Sequence, residues 1–378
     1  MTSSSHYHYH KDDDADFESP FEEFFNNYAP IPEPKERKNV FLSRETGKKA
    51  TRSSGMITLA ILQHILPSYS GDEVPYFQPT EDATGRSSLS PLQKCTAAIR
   101  QLVYGGGADT VDEYVRLAET TARKCLHNFT AGIISLFGDE YVRRPTPEDL
   151  ERLLHIGDQR GFPGMIGNID CMHWEWKNFP TAWKGMHSRG TGKPTIVLEA
   201  VASYDLWIWH AFFGALGTMN DLNILDRSPV FDDIINEIAP QVNFYVNGTE
   251  YHLAYHLTDG EKNSLFAKTQ EAVRKDVERA FGVLQARFAV VKNTSKLWDK
   301  DKIANIMRAC IILYNMIVKD ERDSYTQYNI LEFQQREDVD QTFSVKKTTK
   351  HGNTIGRRTE VRDKEAHQQL KEYLIENI

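Results

Sequence analysis

Apolar side chains recur every three to four residues through residues 56–154, which is the period of helices that bury one face. The clearest helix start is at Ser90, because serine caps a helix N-terminus and the following Pro91 fits the first turn. Glycines at 105–107 then interrupt the pattern. We therefore predict a helical region over residues 56–154.

A helix-turn-helix unit is one interpretation of this region. After the glycines, Asp109 and Thr110 can cap a short helix, and a longer helix is predicted from about 119 to 134. In a helix-turn-helix unit the last helix enters a DNA groove. The polar face that this helix would present to DNA consists of Thr120, Thr121, Arg123, Lys124 and His127. A small helical packing domain fits the same pattern equally well.

After residue 160 the pattern becomes that of strands. Short apolar and aromatic runs are bounded by turn residues, and the turn Ser203–Asp205 joins two of these runs as a hairpin. The predicted strands cover residues 165–176, 195–202, 206–213, 244–248 and 251–257.

Helical spacing returns in the last third of the chain. Helices are predicted over about 273–288 and 302–319, and a final amphipathic helix follows over 362–378. Strands followed by helices indicate an α/β fold, with a mixed sheet flanked by helices. We divide the chain into a disordered N-terminal tail, the helical region, a sheet domain and a polar C-terminal tail. These segments are residues 1–55, 56–154, 155–322 and 323–378.

Composition and charge restrict the class of protein. The chain has 378 residues, of which 40% are hydrophobic and 26% charged, as in ordinary soluble proteins. No apolar run spans a bilayer and no secretory signal is present, so we expect no membrane association. Four widely spaced cysteines predict reduced thiols inside the cell.

The net charge of −8 argues against broad attraction to nucleic acid, but one segment is basic. Residues 35–52 contain seven basic and two acidic side chains, so 7 − 2 = +5. Such a segment suits nuclear import or contact with phosphates. It suits a solvated linker equally well.

Carboxylates near the ends of predicted strands and on a later helix are the main candidates for chemistry. We expect Asp170 at the end of the first strand, Asp221 and Asp259 after later strands, and Glu278 on the helix that follows. If these acids converge, they repel one another, and a hard divalent cation such as Mg²⁺ relieves the repulsion. Arg279 beside them is a candidate phosphate contact. Ordinary turn aspartates and a salt-bridged helix face would also explain this pattern.

Three runs of sequence resemble the plant branch of the PIF/Harbinger-type transposases. They are residues 161–174, 198–214 and 274–285. The resemblance covers roughly residues 89–318. It implies a ribonuclease H-like catalytic domain behind a helix-turn-helix region.

The same resemblance implies a chemistry and a set of partners. It implies DNA cleavage and strand transfer with Mg²⁺ or Mn²⁺, as two ions held at a site of three catalytic acids, Asp170, Asp221 and Glu278. Asp259 matches a further acid of the family. The implied partners are terminal-repeat and target DNA, a Myb-like protein and further copies of the chain. The implied location is the nucleus, with the cytoplasm as a second location.

Two departures from the family pattern leave a second hypothesis open. The interval from Asp259 to Glu278 is only 278 − 259 = 19 residues, because a segment that relatives usually carry after Gly260 is missing. Tyr314 and Asn315 stand where the family tends to have His-Asn. The first hypothesis is a metal-dependent transposase or transposase-derived nuclease. The second is a domesticated or decayed protein, weak in catalysis, that acts through DNA or protein contacts.

Overall fold

The computed structural model describes residues 61–62, 65–69, 74–81, 83–85, 87–105, 117–176, 178, 193–225, 227–232, 236, 241–258, 265–293, 299–333, 343–346 and 364–377. At residues 221, 222, 265–267, 323–333, 346, 364 and 377 it describes the backbone alone. The predicted N-terminal tail, the predicted caps Asp109 and Thr110, and Asp259 lie outside the described residues.

The elements confirm an α/β protein. The strands are β1 (Met165–Glu175), β2 (Thr195–Ala202), β3 (Ile208–Leu216), β4 (Gln241–Val246), β5 (Thr249–Tyr251), β6 (Tyr255–Leu257) and β7 (Phe343–Lys346). The helices are α1 (Pro91–Tyr104), α2 (Glu119–Tyr141), α3 (Pro147–Gln159), α4 (Asp221–Leu225), α5 (Leu265–Arg287), α6 (Ala289–Lys292), α7 (Lys300–Phe333) and α8 (Lys364–Asn377).

The main sheet is mixed, as predicted, with the strand order β3-β2-β1-β6. β1, β2 and β3 are antiparallel, and β6 runs parallel to β1 on its other edge. The predicted bounds of β2 are confirmed. β3 begins at Ile208 rather than at 206, because Leu206 adopts a left-handed φ of 66° and belongs to the hairpin turn.

A second sheet, with the order β5-β4-β7, was only partly predicted. Residues 241–244 of β4 pair antiparallel with residues 343–346 of β7. The sequence did not indicate β7, because a strand of four residues in polar surroundings carries too little pattern. Its pairing with a segment about 100 residues earlier depends on tertiary structure.

Two hydrophobic clusters form the interior. The main cluster joins α1, α2, α5 and α7 to one face of the main sheet, through side chains such as Ile99, Phe129, Leu198 and Leu313. The second cluster joins α3, the second sheet and α8, and it includes Phe244 and Leu374. The helical region and the main sheet therefore share one core.

Gly164 connects the two sheets. It has a left-handed φ of 85°, and a Cβ atom there would collide with the ring of Phe244 in β4. The glycine lets the backbone at the start of β1 pass directly over that ring. The run of residues 161–174 therefore fixes how the second sheet meets β1.

Two helices extend beyond their predicted ends. The helix predicted over 119–134 continues to Tyr141 as α2. The helix predicted over 302–319 continues to Phe333 as α7, so its backbone runs into the segment assigned to the polar C-terminal tail from Asp323. Hydrophobic periodicity locates a helix more securely than it locates the end of the helix. None of the helices in the described part of the chain is long and apolar enough to span a bilayer.

Asn315 and Tyr314 of α7 hold the hairpin of the main sheet. The buried Asn315 accepts a hydrogen bond from the Ile208 backbone at 3.0 Å and donates to the carbonyls of Ile208 and Tyr141 at 2.7 and 2.6 Å. The Tyr314 hydroxyl donates to the Leu206 carbonyl at 2.8 Å. These two residues anchor the start of β3 to α2 and α7.

Candidate functional site

Asp170 lies in the middle of β1, so the prediction that it ends the strand is wrong. β1 continues to Glu175 because β2 pairs with it as far as Thr195. On the other edge, the parallel pairing with β6 reaches only Asn168 and Leu257. Asp170 therefore lies just past the described pairing with β6.

Asp170 points to the side of the sheet that carries the main core. Alternate strand residues share a face, and Trp174, four residues later on that face, is buried in the main cluster. The carboxylate is partly exposed, and its Oδ1 accepts a hydrogen bond from the Cys171 backbone at 2.8 Å. This is the face on which α5 packs against β1.

Arg274 of α5 brings Asp170 and Glu278 together. Its Nη1 lies 3.4 Å from Oδ2 of Asp170, and its Nη2 lies 2.8 Å from Oε1 of Glu278. Glu278 lies one helical turn after Arg274, where i and i+4 side chains meet. The side chain of Arg274 is 14% exposed and that of Glu278 is 45% exposed. Two of the predicted acids therefore reach one guanidinium from a strand and a helix.

The other two predicted acids are described less fully. Asp221 is the first residue of α4, which follows β3, and its side chain lies outside the description. Asp259 lies outside the described residues altogether. Among the side chains that are described, no three acidic, histidine or cysteine residues cluster closely enough for a metal ion.

The pair of Asp170 and Glu278 is chemically suited to a hard cation. Carboxylate oxygens are the ligands that Mg²⁺ and Mn²⁺ prefer. In this structure a guanidinium already bridges the two acids as a positive group. Asp170 and Glu278 are therefore the described residues that fit a metal ligand set.

A neighbouring acid on α5 has a different role. Asp276 is 3% exposed and pairs with Arg160, from the end of α3, and with Arg279 at 3.1 Å. Burial raises the pKa of Asp276, and the two arginines oppose that rise. Asp276 thus connects α5 to α3. The predicted phosphate contact Arg279 is 60% exposed and already pairs with Asp276.

The predicted groove-reading face of α2 is only partly exposed. Thr120, Arg123 and Lys124 are exposed, whereas Thr121 and His127 are half-buried. Arg123 forms an ion pair with Glu119. Burial lowers the pKa of His127, with nearby Lys302 acting in the same direction, so this ring is neutral at neutral pH. A DNA contact through this face stays a prediction.

A buried polar cluster on the other face of the main sheet was not predicted as a site. Ser228 Oγ donates to Oε1 of Glu199 at 2.8 Å and lies 3.2 Å from Nε2 of His210. Burial raises the pKa of Glu199 to about 7 and lowers the pKa values of His210 and His256 to about 4. The sequence signal that could have indicated this cluster is the presence of Glu199 and His210 inside apolar runs predicted as strands.

This cluster borders a cavity with a volume of about 810 Å³. His210 and His256 line it, together with Trp209 and the basic side chains Arg143 and Arg308. Asp170 and Glu278 do not line it. The cavity is therefore separate from the acidic pair on α5 and β1.

The mixed sheet and the acidic pair that meets on it define an α/β protein with a candidate metal site. Residues 139–325 match the family model described as plant transposon protein. This match and the curated relative described next confirm the resemblance to PIF/Harbinger-type transposases. The matched range begins near the end of α2 and ends within α7.

One curated relative extends the similarity beyond plants. The protein named putative nuclease HARBI1, from Bos taurus, is 20% identical over 256 residues. The alignment covers 63% of this chain and 70% of that protein. No solved structure matches the chain.

Proposed function

We propose that the chain is a metal-dependent transposase or transposase-derived nuclease that cleaves and joins DNA phosphodiester bonds. The observation that carries the proposal is the meeting of Asp170 and Glu278 at one guanidinium. These acids are 108 residues apart in the sequence (278 − 170). The match to the plant transposon protein family and the name of the bovine relative, putative nuclease, support the same conclusion.

The strand order supports a ribonuclease H-like fold for the catalytic part. Three antiparallel strands, followed by a strand parallel to the first on its free edge, form the central sheet expected of that fold. Asp170 on the first strand and Glu278 on a later helix are then the first and last acids of the predicted set. Asp221, at the start of the helix that follows β3, is the second acid in chain order.

Asp259 is the fourth proposed ligand because it matches a further acid of the family. In the sequence it comes two residues after Leu257, the last residue of β6. We therefore propose Asp170, Asp221, Asp259 and Glu278 as the ligands of two ions, Mg²⁺ or Mn²⁺.

The proposed site residues position the metal ions and the DNA phosphate, and none of them forms a covalent intermediate with DNA. A metal pair at such a site lowers the pKa of water and stabilises the phosphate oxygens during in-line displacement. Asp170 is held by the paired β1 and β2, and Glu278 by α5 packed on β1. Such rigid placement matters because small displacements at a reacting centre cost large rate factors.

DNA is the proposed partner. Thr120, Thr121, Arg123, Lys124 and His127 on α2, with Arg279 on α5, are the proposed contacts. A helix-turn-helix unit formed with α2, a Myb-like partner protein, oligomerisation and nuclear location remain proposals that follow from the family.

A second candidate function follows from the short interval of 19 residues between Asp259 and Glu278. A short connection restricts how the helical acid approaches the strand acids. In that case the chain binds DNA or protein with little catalysis. DNA binding without cleavage would distinguish this function from the first.

The decisive experiment is nicking of terminal-repeat DNA by the full chain with and without Mg²⁺. We expect Mg²⁺-dependent nicking that falls by at least about a hundredfold in Asp170→Asn, because loss of a ligand weakens the metal site. Asp139→Asn, which changes an exposed aspartate of α2, is the matched control and should nick as wild type does. Equal nicking by Asp170→Asn and wild type would show that the site is wrong. Binding without nicking by wild type would favour the second function.

A further inference from the structure

Arg274 contacts both of the described acids of the proposed metal site. One guanidinium nitrogen faces Asp170 at 3.4 Å and the other faces Glu278 at 2.8 Å. The fork of the guanidinium suits this geometry because its donors are fixed in one plane. The side chain is only 14% exposed, so water screens these contacts less than at the surface.

The ion pair of Arg279 on the same helix differs in the number of acids that the arginine contacts. Arg279 is 60% exposed and contacts one acid, Asp276. Arg274 contacts acids from two elements, one on β1 and one on its own helix. Its contacts therefore set the distance between the two proposed ligands as well as neutralising them.

Arginine cannot release its charge by losing a proton, because its pKa lies above the range in which proteins work. A divalent cation that binds Oδ2 of Asp170 and Oε1 of Glu278 competes for the oxygens that now face Arg274. A like charge close to a metal ion also weakens binding of the ion. The guanidinium and a metal ion therefore cannot both keep their full contacts with these acids.

We propose that Arg274 is the resident counter-ion of this site and that the first divalent cation must displace it. Before the metal binds, Arg274 keeps Asp170 and Glu278 close despite their like charges. When the metal binds, Arg274 gives up at least one of its two carboxylates. This inference rests on the proposed function, since it takes Asp170 and Glu278 as metal ligands. It assigns to Arg274 a positioning role that also raises the metal concentration required for loading.

The test measures metal binding directly, without DNA. Mn²⁺ is titrated calorimetrically into the full-length wild type, Arg274→Gln and Lys275→Gln. We expect Arg274→Gln to bind Mn²⁺ at least about tenfold more tightly, equivalent to about 1.4 kcal/mol. Lys275 is the neighbouring exposed cation on α5, so its removal controls for net charge. Lys275→Gln should change the affinity by less than about twofold, because exposed charges are screened.

Thermal unfolding gives a second readout. In EDTA, Arg274→Gln should unfold at a lower temperature than wild type, because two acids lose their common counter-ion. Mn²⁺ should then raise its midpoint more than it raises that of wild type, because tighter binding to the native state stabilises it more. Arg274→Lys keeps the charge but loses the fork, so its Mn²⁺ affinity should lie between those of the other two proteins. This variant keeps the test usable if Arg274→Gln does not fold.

The outcomes separate this inference from the proposed function. Unchanged or weaker Mn²⁺ binding by both Arg274 variants would overturn the role of Arg274 as a competitor. If Asp170→Asn retains wild-type Mn²⁺ binding, the metal site itself is wrong, and both proposals fail. Loss of binding in Asp170→Asn together with tighter binding in Arg274→Gln would support both.

Discussion

Glu199 is a carboxylate with no exposed surface, placed in the central strand pair of the main sheet. One oxygen accepts the hydroxyl of Ser228, and within the described residues the other has no hydrogen-bond partner. Burial disfavours the charged form and raises its pKa to about 7. His210, 3.8 Å away, has a pKa lowered to about 4 by burial and is neutral at pH 7, so it provides no ion pair.

The raised pKa of Glu199 predicts a dependence of stability on pH. The folded chain keeps the proton up to about pH 7, while the unfolded chain loses it near 4.5. The folded state therefore binds more protons between these values, and its stability falls as the pH rises through them. Glu199→Gln removes this loss of stability because the glutamine side chain does not ionise. Its stability relative to wild type should increase between pH 5 and pH 8 by up to about 3 kcal/mol.

Denaturant unfolding of both proteins at the two pH values checks this prediction. His210, His256 and Asp232 face the same cluster and are present in both proteins, so the comparison cancels most of their effect. Glu271→Gln, an exposed glutamate on α5, should follow the wild-type pH dependence. If the free energies of unfolding of Glu199→Gln and wild type differ by the same amount at pH 5 and pH 8, the raised pKa of Glu199 is contradicted.

At the scale of elements, the sequence predicted the helices and strands whose ends are marked by residues close by in the chain. The cap at Ser90 and Pro91 forms a capping box with Gln93, and α1 begins and ends where the sequence indicated. The bounds of β2 also match, because both ends are marked by changes from apolar to turn residues. The extension of α7 and the strand β7 were missed, because sequence patterns mark helix ends weakly and β7 is only four residues long.

Asp170 and Glu278 were predicted as site residues for a similar reason, and the contact with Arg274 that joins them was not predicted. Asp170 and Glu278 were recognisable because each lies in a distinctive run of residues. Arg274 lies in the same run as Glu278, but nothing local indicates that its guanidinium reaches β1. The packing of α5 against β1 creates that contact. Long-range packing of this kind is not visible in one sequence.

The docking of α8 onto the second sheet gives an element-scale prediction. Leu374 is 4% exposed and packs in the cluster with Val242 and Phe244, whereas its neighbour Ile375 is 44% exposed. Leu374→Ala should lower the free energy of unfolding by about 2–4 kcal/mol, since it removes buried apolar volume. Ile375→Ala removes a side chain of equal size and should cost less than about 0.5 kcal/mol. Equal losses in denaturant unfolding would mean that α8 does not dock in this way.

At the scale of the whole molecule, the helical region and the sheet are joined by a common interior. Ile99 of α1 and Phe129 of α2 lie in the same cluster as Leu313 of α7 and Leu198 of β2. Asn315 adds hydrogen bonds to the end of α2 and to β3. If α2 contacts DNA, it does so as part of the same folded unit that carries Asp170 and Glu278.

This shared core predicts that residues 56–154 do not fold alone. Without α7 and the main sheet, the buried faces of α1 and α2 would be exposed to water, at a cost of about 25 cal/mol per Å². The isolated segment should show no cooperative thermal transition by circular dichroism, whereas the full chain should show one. A sharp transition of the segment would identify an independent helix-turn-helix module.

The continuity of α7 limits how the length of this protein can vary. One residue inserted ahead of Asn315 would turn its amide by about 100° around the helix axis. The amide would then face away from Ile208 and Tyr141, whose backbone groups it now satisfies. Gains or losses of about seven residues, close to two full turns, would bring it back near its present direction. Insertions during evolution should therefore occur in the connections between elements rather than within α7.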